Sequence, residues 1–354
     1  MQIHKPVFII GSFRGGTSLL FRLLSESDEL WSLYRESNHM WQPWHRDTRE
    51  TADTVILKAE DVKEGDREHF DKHYHFSAYD NHWMGELSRI RLLRNRLSVV
   101  FNLINIFNYL YKWLKLCIFK RQSGDKKSIA YRIIDKTPPN CFRVEYLAKL
   151  YPDAKFIYIT RNGLDNTSSL MNAWRSKQKF QFRYRKYLEE YLSPLEANQE
   201  VENAEIRVQK ESMQTPKYFD IDGYQSDVWK FAMPPGWEAY RNKTLAEVCA
   251  FQWLKTHEYA LNSLSKLAPE RVIKFKFEDL MAEPHHSIEK LCSFLEIEFT
   301  WNMQKIVSEM PLVNTFTPAS KRKSRKNQAD LETIKDYIEP MQQELGYATI
   351  LKSE

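Results

Sequence analysis

The sequence predicts an α/β fold with a mainly parallel sheet, helices on both of its faces and helical insertions. Four short apolar runs read as strands buried on both sides. Three of them are followed promptly by segments of helical periodicity, and strands that alternate with helices favour a parallel sheet. The first run also leads through a glycine-bearing turn into a helix, in VFIIGSFRGGTSLLFRLL.

In chain order the runs are residues 7–10, 129–134, 155–160 and 272–277. In 18–24, leucine and phenylalanine recur at helical spacing after the first turn. Residues 143–150 repeat the pattern and stop before Pro152, which cannot continue a helix. Residues 284–295 are amphipathic, with Ile288, Leu291, Cys292 and Leu295 on one face. Two stretches interrupt the rhythm. Residues 47–127 are polar and then strongly apolar, and 177–240 are charged and rich in tyrosine. Neither holds a self-contained strand–helix pattern and no repeat is visible. The expectation is one domain over 1–354 with two insertions that shape the binding site.

A chain of 354 residues has room for two domains, but α/β folds of this length are often one. Hydrophobic residues make up 42%, enough for a sizeable core, and 28% charged residues is ordinary for a soluble protein. A formal net charge of +5 gives no bulk argument for nucleic acid and suits a protein that holds an anionic ligand. Cys117, Cys141, Cys249 and Cys292 form no CxxC pair and no zinc spacing. They read as reduced, packed thiols, which points to a cytoplasmic protein. The chain starts almost directly on its first strand, without the segments of a signal peptide.

The sharpest signal is the first turn. Glycines let backbone N–H groups point inward at a ligand. The first N–H groups of the following helix have no partner within it and face the same spot. Together with the helix dipole they form a phosphate site. Gly11, Gly15, Gly16, Thr17 and Ser18 fall in register for this, the last two adding hydroxyl donors. The spacing nearly fits a Walker A loop, GxxxxGK[ST], but Thr17 stands where the lysine would be. That argues against a nucleoside triphosphate. The positive charge sits earlier, at Arg14.

This loop resembles the 5′-phosphosulfate loop of sulfotransferases that use 3′-phosphoadenosine 5′-phosphosulfate (PAPS), and the resemblance implies a P-loop NTPase type of sheet. That family binds the cofactor's 3′-phosphate with an arginine after a strand and a serine eight residues later. KFIYITRNGLDNTSSL supplies Arg161 and Ser169 at that spacing. Arg161 then sits at the carboxyl end of a strand, where open α/β sheets bind ligands, and a guanidinium can grip phosphate with two bonds. RVIKFKFEDLMAEP and the tail SKRKSRKNQADLETIKDYIEPMQQELGY are also similar to the family's late strand and its cofactor-covering loop with final helix. By resemblance Lys323 and Arg325 contact the cofactor, although Ser324 replaces a tryptophan common in that loop. Ser320 or Ser324 adds a hydroxyl; the choice stays open. The resemblance is nearer to the glycan, protein-tyrosine and bacterial branches than to the small cytosolic one.

The implied reaction moves a sulfuryl group from PAPS to a hydroxyl on a glycan, lipid or other alcohol. It needs a base, cations and in-line positioning. Resemblance makes Glu36, in LWSLYRESNHMW, the base, among apolar neighbours that favour its protonated form. His39 and His45 are the substitutes, since the small cytosolic branch uses histidine. Lys136 in IIDKTPPN reaches the bridging oxygen, and Arg14 contacts the sulfuryl or 5′-phosphate oxygens. No metal is expected, because the adenosine 3′,5′-bisphosphate (PAP) leaving group has no β and γ phosphates to tie together.

His69, His73, His75 and His82 suggest a metal, but no cysteine or ordered carboxylates complete a site. KRKSRK reads as phosphate-covering loop, so no nucleic-acid partner is expected. Residues 99–119 form an apolar stretch with a narrow polar stripe that includes Lys112 and Lys115. Two readings stand: a helix packed on the core or on a homodimer partner, and an interfacial helix on a membrane. Two rivals remain for the whole chain. One is a P-loop phosphotransferase or NTPase, with Asp135 as its metal ligand. The other is a non-catalytic nucleotide-binding protein.

Overall fold

The computed structural model of the chain describes residues 2–33, 36–41, 56–75, 130–175, 181–183, 219–222, 224–226, 228–309 and 327–348. Five parallel strands form its central sheet: β1 (Val7–Ile10), β2 (Trp31–Ser32), β3 (Ile133–Asp135), β4 (Lys155–Thr160) and β5 (Val272–Lys276). They lie in the order β5-β4-β1-β3-β2. β1 is central, with Val7 opposite Lys155 on one side and Ile134 on the other.

The expected run at 129–134 divides. Ala130–Tyr131 pairs with Gln2–Ile3, and only Ile133–Asp135 enters the main sheet. Ile129 lies outside the described residues. The edge strand β2 is not expected from the sequence, because two residues carry no readable alternation. At 272–277 the strand ends one residue early, and Phe277 opens a helix.

Alternation along each strand sends side chains to two layers. Val7, Ile9, Ile134, Ile157 and Ile159 face one layer, built from α1 (Thr17–Leu24) and later helices. Phe8, Ile10, Ile133, Phe156 and Tyr158 face the other. The first layer meets Leu20, Leu23 and Leu24 of α1, with Ile288 and Leu291 from Pro284–Leu295. The second meets Phe70 and Tyr74 from the helical stretch 66–75, and Leu147 and Leu150 from Val144–Leu150. Full burial of each such side chain contributes about 1.5–3 kcal/mol. Helices therefore cover both faces, as the apolar strands require.

Parts of both long interruptions pack into this body. Phe70 and Tyr74 are fully buried, as is Trp229 in a third cluster with Trp174 and Trp237. That cluster joins two helices, Gly163–Trp174 and Leu245–Leu264. Residues 99–119 lie outside the described residues. No helix among the described residues is long and apolar enough to cross a membrane.

Leu245–Leu264 starts at a capping box between Thr244 and Glu247. Its buried face carries His257, whose Nδ1 lies 2.6 Å from the Tyr158 hydroxyl. Burial pulls the imidazole down to about 3. A base with a depressed folded pKa contributes stability above its unfolded pKa and loses it as pH falls toward the folded value. The loss thus runs from roughly pH 6.5 toward 3, and by pH 5 is on the order of 2 kcal/mol. Thermal melts at pH 7.5 and pH 5 should show this drop, and His257→Gln should flatten it. An equal drop in both proteins would assign it to other groups.

Candidate active site

The turn after β1 is shaped by close approaches. A Cβ at Gly11 would lie 2.6 Å from the Ile159 carbonyl oxygen, so only glycine leaves the sheet along this path. The turn closes through the Gly15 N–H, which donates to Ser12 O at 3.0 Å. Arg14 has φ 65° and Gly16 φ 98°. For Arg14 this left-handed backbone costs energy and persists only where the surroundings enforce it. A Cβ at Gly16 would collide with the Phe277 ring at 2.3 Å.

Gly16 is the N-cap of α1 and makes no side-chain capping bond. The first N–H groups of the helix thus point toward the mouth of the turn. Thr17 is buried and Ser18 exposed. The underside of the turn is filled by Asn166, whose amide lies 2.8 Å from Ser12 Oγ. With its carbonyl oxygen turned to the loop, Asn166 accepts from Gly15 N–H at 3.2 Å and donates to Phe13 O at 3.1 Å.

Asn166 belongs to the helix Gly163–Trp174, which follows β4 and is capped by Asn162 through the N–H groups of Leu164 and Asp165. Arg161 stands between strand and cap. Its Nη1 donates to Arg14 O at 3.1 Å, and Arg14 Nε donates to Ser169 Oγ at 3.3 Å. The structure therefore brings Arg14, Arg161 and Ser169 together. Arg14 is exposed overall, yet partial desolvation of its guanidinium, and next the charge of Arg161, lower its pKa. Burial raises the nearby Asp165 carboxyl while Arg161 opposes that rise. Arg161 Nε is buried and meets no acceptor among the described residues. Two adjacent guanidiniums, one with an unused buried donor, fit a phosphorylated ligand.

Lys323, Arg325, Ser320 and Ser324 lie outside the described residues. Asn327, two positions after Arg325, is fully buried. It donates to Ser168 Oγ at 3.0 Å and accepts from Arg175 Nη1 at 2.5 Å.

On the other side of β1, β3 ends at Asp135 and delivers Lys136. Lys136 Nζ donates to Glu36 Oε1 at 2.5 Å, and Asn38 Nδ2 donates to Glu36 Oε2 at 3.3 Å. Among the described residues, Glu36 does not have the apolar surroundings expected for it. Met40 and Trp41 turn into the core, and the carboxylate meets an ammonium instead. Tyr34 and Trp44 lie outside the described residues, as does His45. His69 and His73 direct ring nitrogens at the backbone carbonyls of Met40 and His69.

Asp135 is not posed as a metal ligand. It is fully buried and accepts from Ser37, Tyr74, Thr137 and Asn140 at 2.7–3.0 Å. Burial raises its pKa, and these four donors oppose the rise. Ser37 N–H also donates to Thr137 Oγ1 at 2.7 Å. This hub fixes the residues beside Glu36 and Lys136, and the sequence signals only its strand-end aspartate.

Strand order arranges the groups along the carboxyl edge of the sheet. Arg161 follows β4, the glycine turn follows β1 and Lys136 follows β3. Adjacent strands are about 4.8 Å apart, so the outer two sites flank the turn across roughly 10 Å. An anion seated in the turn lies between a guanidinium pair and an ammonium–carboxylate pair.

A sequence model of the sulfotransferase family matches residues 6–225 and 228–301. A sequence search of curated proteins finds no match. Among solved structures, the chain is similar to the sulfotransferase domain from the curacin biosynthetic pathway: 18% identity, 90% of this chain and 83% of that one, TM-score 0.39. It is also similar to a sulfotransferase from Alicyclobacillus acidocaldarius, with 14% identity, 89% and 96% coverage and TM-score 0.34. A mouse sulfotransferase complexed with PAP gives 12% identity, 96% and 88% coverage and TM-score 0.34.

Proposed function

The chain belongs to the sulfotransferase family, and from that premise we propose that it transfers a sulfuryl group from PAPS to a hydroxyl of a glycan, lipid or other alcohol. The observation that carries this reading is the meeting of Arg14, Arg161 and Ser169 at the glycine turn, beside the Glu36–Lys136 pair.

PAPS is the donor substrate and leaves as PAP. Gly16, Thr17 and Ser18 hold its 5′ end through backbone N–H groups and hydroxyls, while the Gly15 N–H closes the turn onto Ser12 O. Arg161 and Ser169 hold the 3′-phosphate, and Lys323 and Arg325 cover it. Burial of Asn327 against Ser168 supports that last assignment, because it fixes the chain beside Ser169 just after the basic run. Glu36 takes the proton of the acceptor hydroxyl as its oxygen bonds to sulfur. Lys136 stabilises the charge that grows on the bridging oxygen as the old sulfur–oxygen bond breaks, with Arg14 on the remaining oxygens.

The phosphotransferase reading is disfavoured by Asp135. Its oxygens are occupied by four donors, and Thr17 stands in place of the triphosphate lysine. The test is transfer of labelled sulfate from PAPS to a panel of glycans, lipids, phenols and peptides without Mg²⁺. Label on any acceptor supports the reading. Absence of transfer from PAPS, together with Mg²⁺-dependent ATP binding tighter than that of PAP, sinks it.

A second measurement isolates the 3′ contact. Arg161→Ala should weaken PAP by roughly 1.5–3 kcal/mol, the worth of a charge-assisted hydrogen bond, and AMP much less. Calorimetry that finds equal losses for the two ligands removes Arg161 from the 3′ site.

A further inference from the structure

Arg161 is held from behind by residues that touch no ligand in the proposed reaction. Phe277, the first residue after β5, lies beneath two anion-binding elements at once. Its ring is the wall that bars a side chain at Gly16, and the Arg161 guanidinium rests over it at 4.8 Å. The next residue, Glu278, accepts from the N–H of Asn162 at 2.9 Å. That N–H belongs to the residue after Arg161, so the bond fixes the peptide from which the guanidinium is aimed.

Glu278 is fixed in turn. Its second oxygen accepts from the Tyr347 hydroxyl at 2.9 Å, and Thr160 Oγ1 lies 3.1 Å from the same hydroxyl. Burial raises the Tyr347 hydroxyl above the ordinary tyrosine range, so it stays a donor. Lys276 secures this end of the chain, donating to Gly346 O at 2.6 Å with its ammonium over the Tyr347 ring. A parallel strut comes from Gln342, whose Oε1 accepts from Gly163 N–H at 2.6 Å.

We infer that Glu278 is a positioning residue for Arg161 and that Tyr347 locks it, so that the C-terminal segment sets the preference for a 3′-phosphorylated nucleotide. The inference rests on the proposed 3′-phosphate role of Arg161. Lost orientation harms the contact that depends on it and spares the 5′ end of the ligand, which the glycine turn holds. A residue that merely stabilised the fold would weaken both ends alike.

The experiment is calorimetry with PAP and with AMP on the full chain, for wild type, Glu278→Ala, Glu278→Gln and Tyr347→Phe, alongside thermal melts. Glu278→Ala should weaken PAP about 10-fold, the lower range for a lost charge-assisted hydrogen bond, with AMP little changed. Glu278→Gln keeps an acceptor for Asn162 N–H and should restore most of the preference. Tyr347→Phe keeps the ring and loses the hydroxyl, and should fall between them. If Glu278→Ala does not fold, Tyr347→Phe carries the test. A wild type that prefers PAP, with variants that keep the full preference or lose both ligands equally, overturns this inference alone. A wild type with no preference for PAP over AMP brings down the Arg161 assignment, and this inference with it.

Discussion

Glu36→Gln should lower kcat by about 10²–10⁴-fold and leave PAP affinity nearly unchanged. The amide keeps the size of the side chain and can still receive the Asn38 bond, but it cannot take a proton. The Glu36 carboxylate is one-third exposed and is held by Lys136 at one oxygen, so solvent and an incoming hydroxyl have access to it. Steady-state rates with saturating PAPS and a reactive acceptor, together with PAP calorimetry, check the two halves. Near-normal turnover would return the role of base to His39 or His45.

Lys136→Ala should cost about 10²–10³-fold in kcat, the scale seen when one preorganised group facing developing charge is removed. Lys136 touches Glu36 in the protein as it stands, and in the proposed reaction it serves the departing oxygen as well. The two substitutions therefore share an interaction, and residues in contact do not add. The double variant should be less impaired than the product of the single effects. Full multiplicativity in that cycle would mean that the pair does not act as a unit.

The sheet was legible because its strands are continuous apolar runs bounded by turn chemistry. What escaped the sequence has physical reasons. β2 is two residues long and owes its place to its neighbour β3 rather than to any pattern of its own. The run at 129–134 looks uniform, yet its halves pair with different partners. In the site, the glycine turn could be read from its own spacing, and Arg14, Arg161 and Ser169 from the resemblance of their motifs, because all of them flank single strand–helix turns. Their supports could not. Asn166, Phe277 and Glu278 reach the turn or Arg161 from elements remote in sequence from what they hold. Asp135 was visible as a strand-end carboxylate, but its burial beneath four donors depends on Ser37 and Tyr74, and no local pattern announces those partners.

The Asp135 hub also bears on when the site comes into being. Ser37 and Asp135 are 98 positions apart, and Tyr74 and Asp135 are 61 apart. Glu36 and Lys136 are likewise joined across 100 positions. Local helices form in microseconds or less, whereas contacts across such separations wait on chain closure. A chain emerging from denaturant should regain most of its helical signal before it regains turnover. The length of the stretch between the two halves should therefore enter the rate at which the site matures. Lengthening it in a surface segment would delay the appearance of activity while leaving every residue of the site in place.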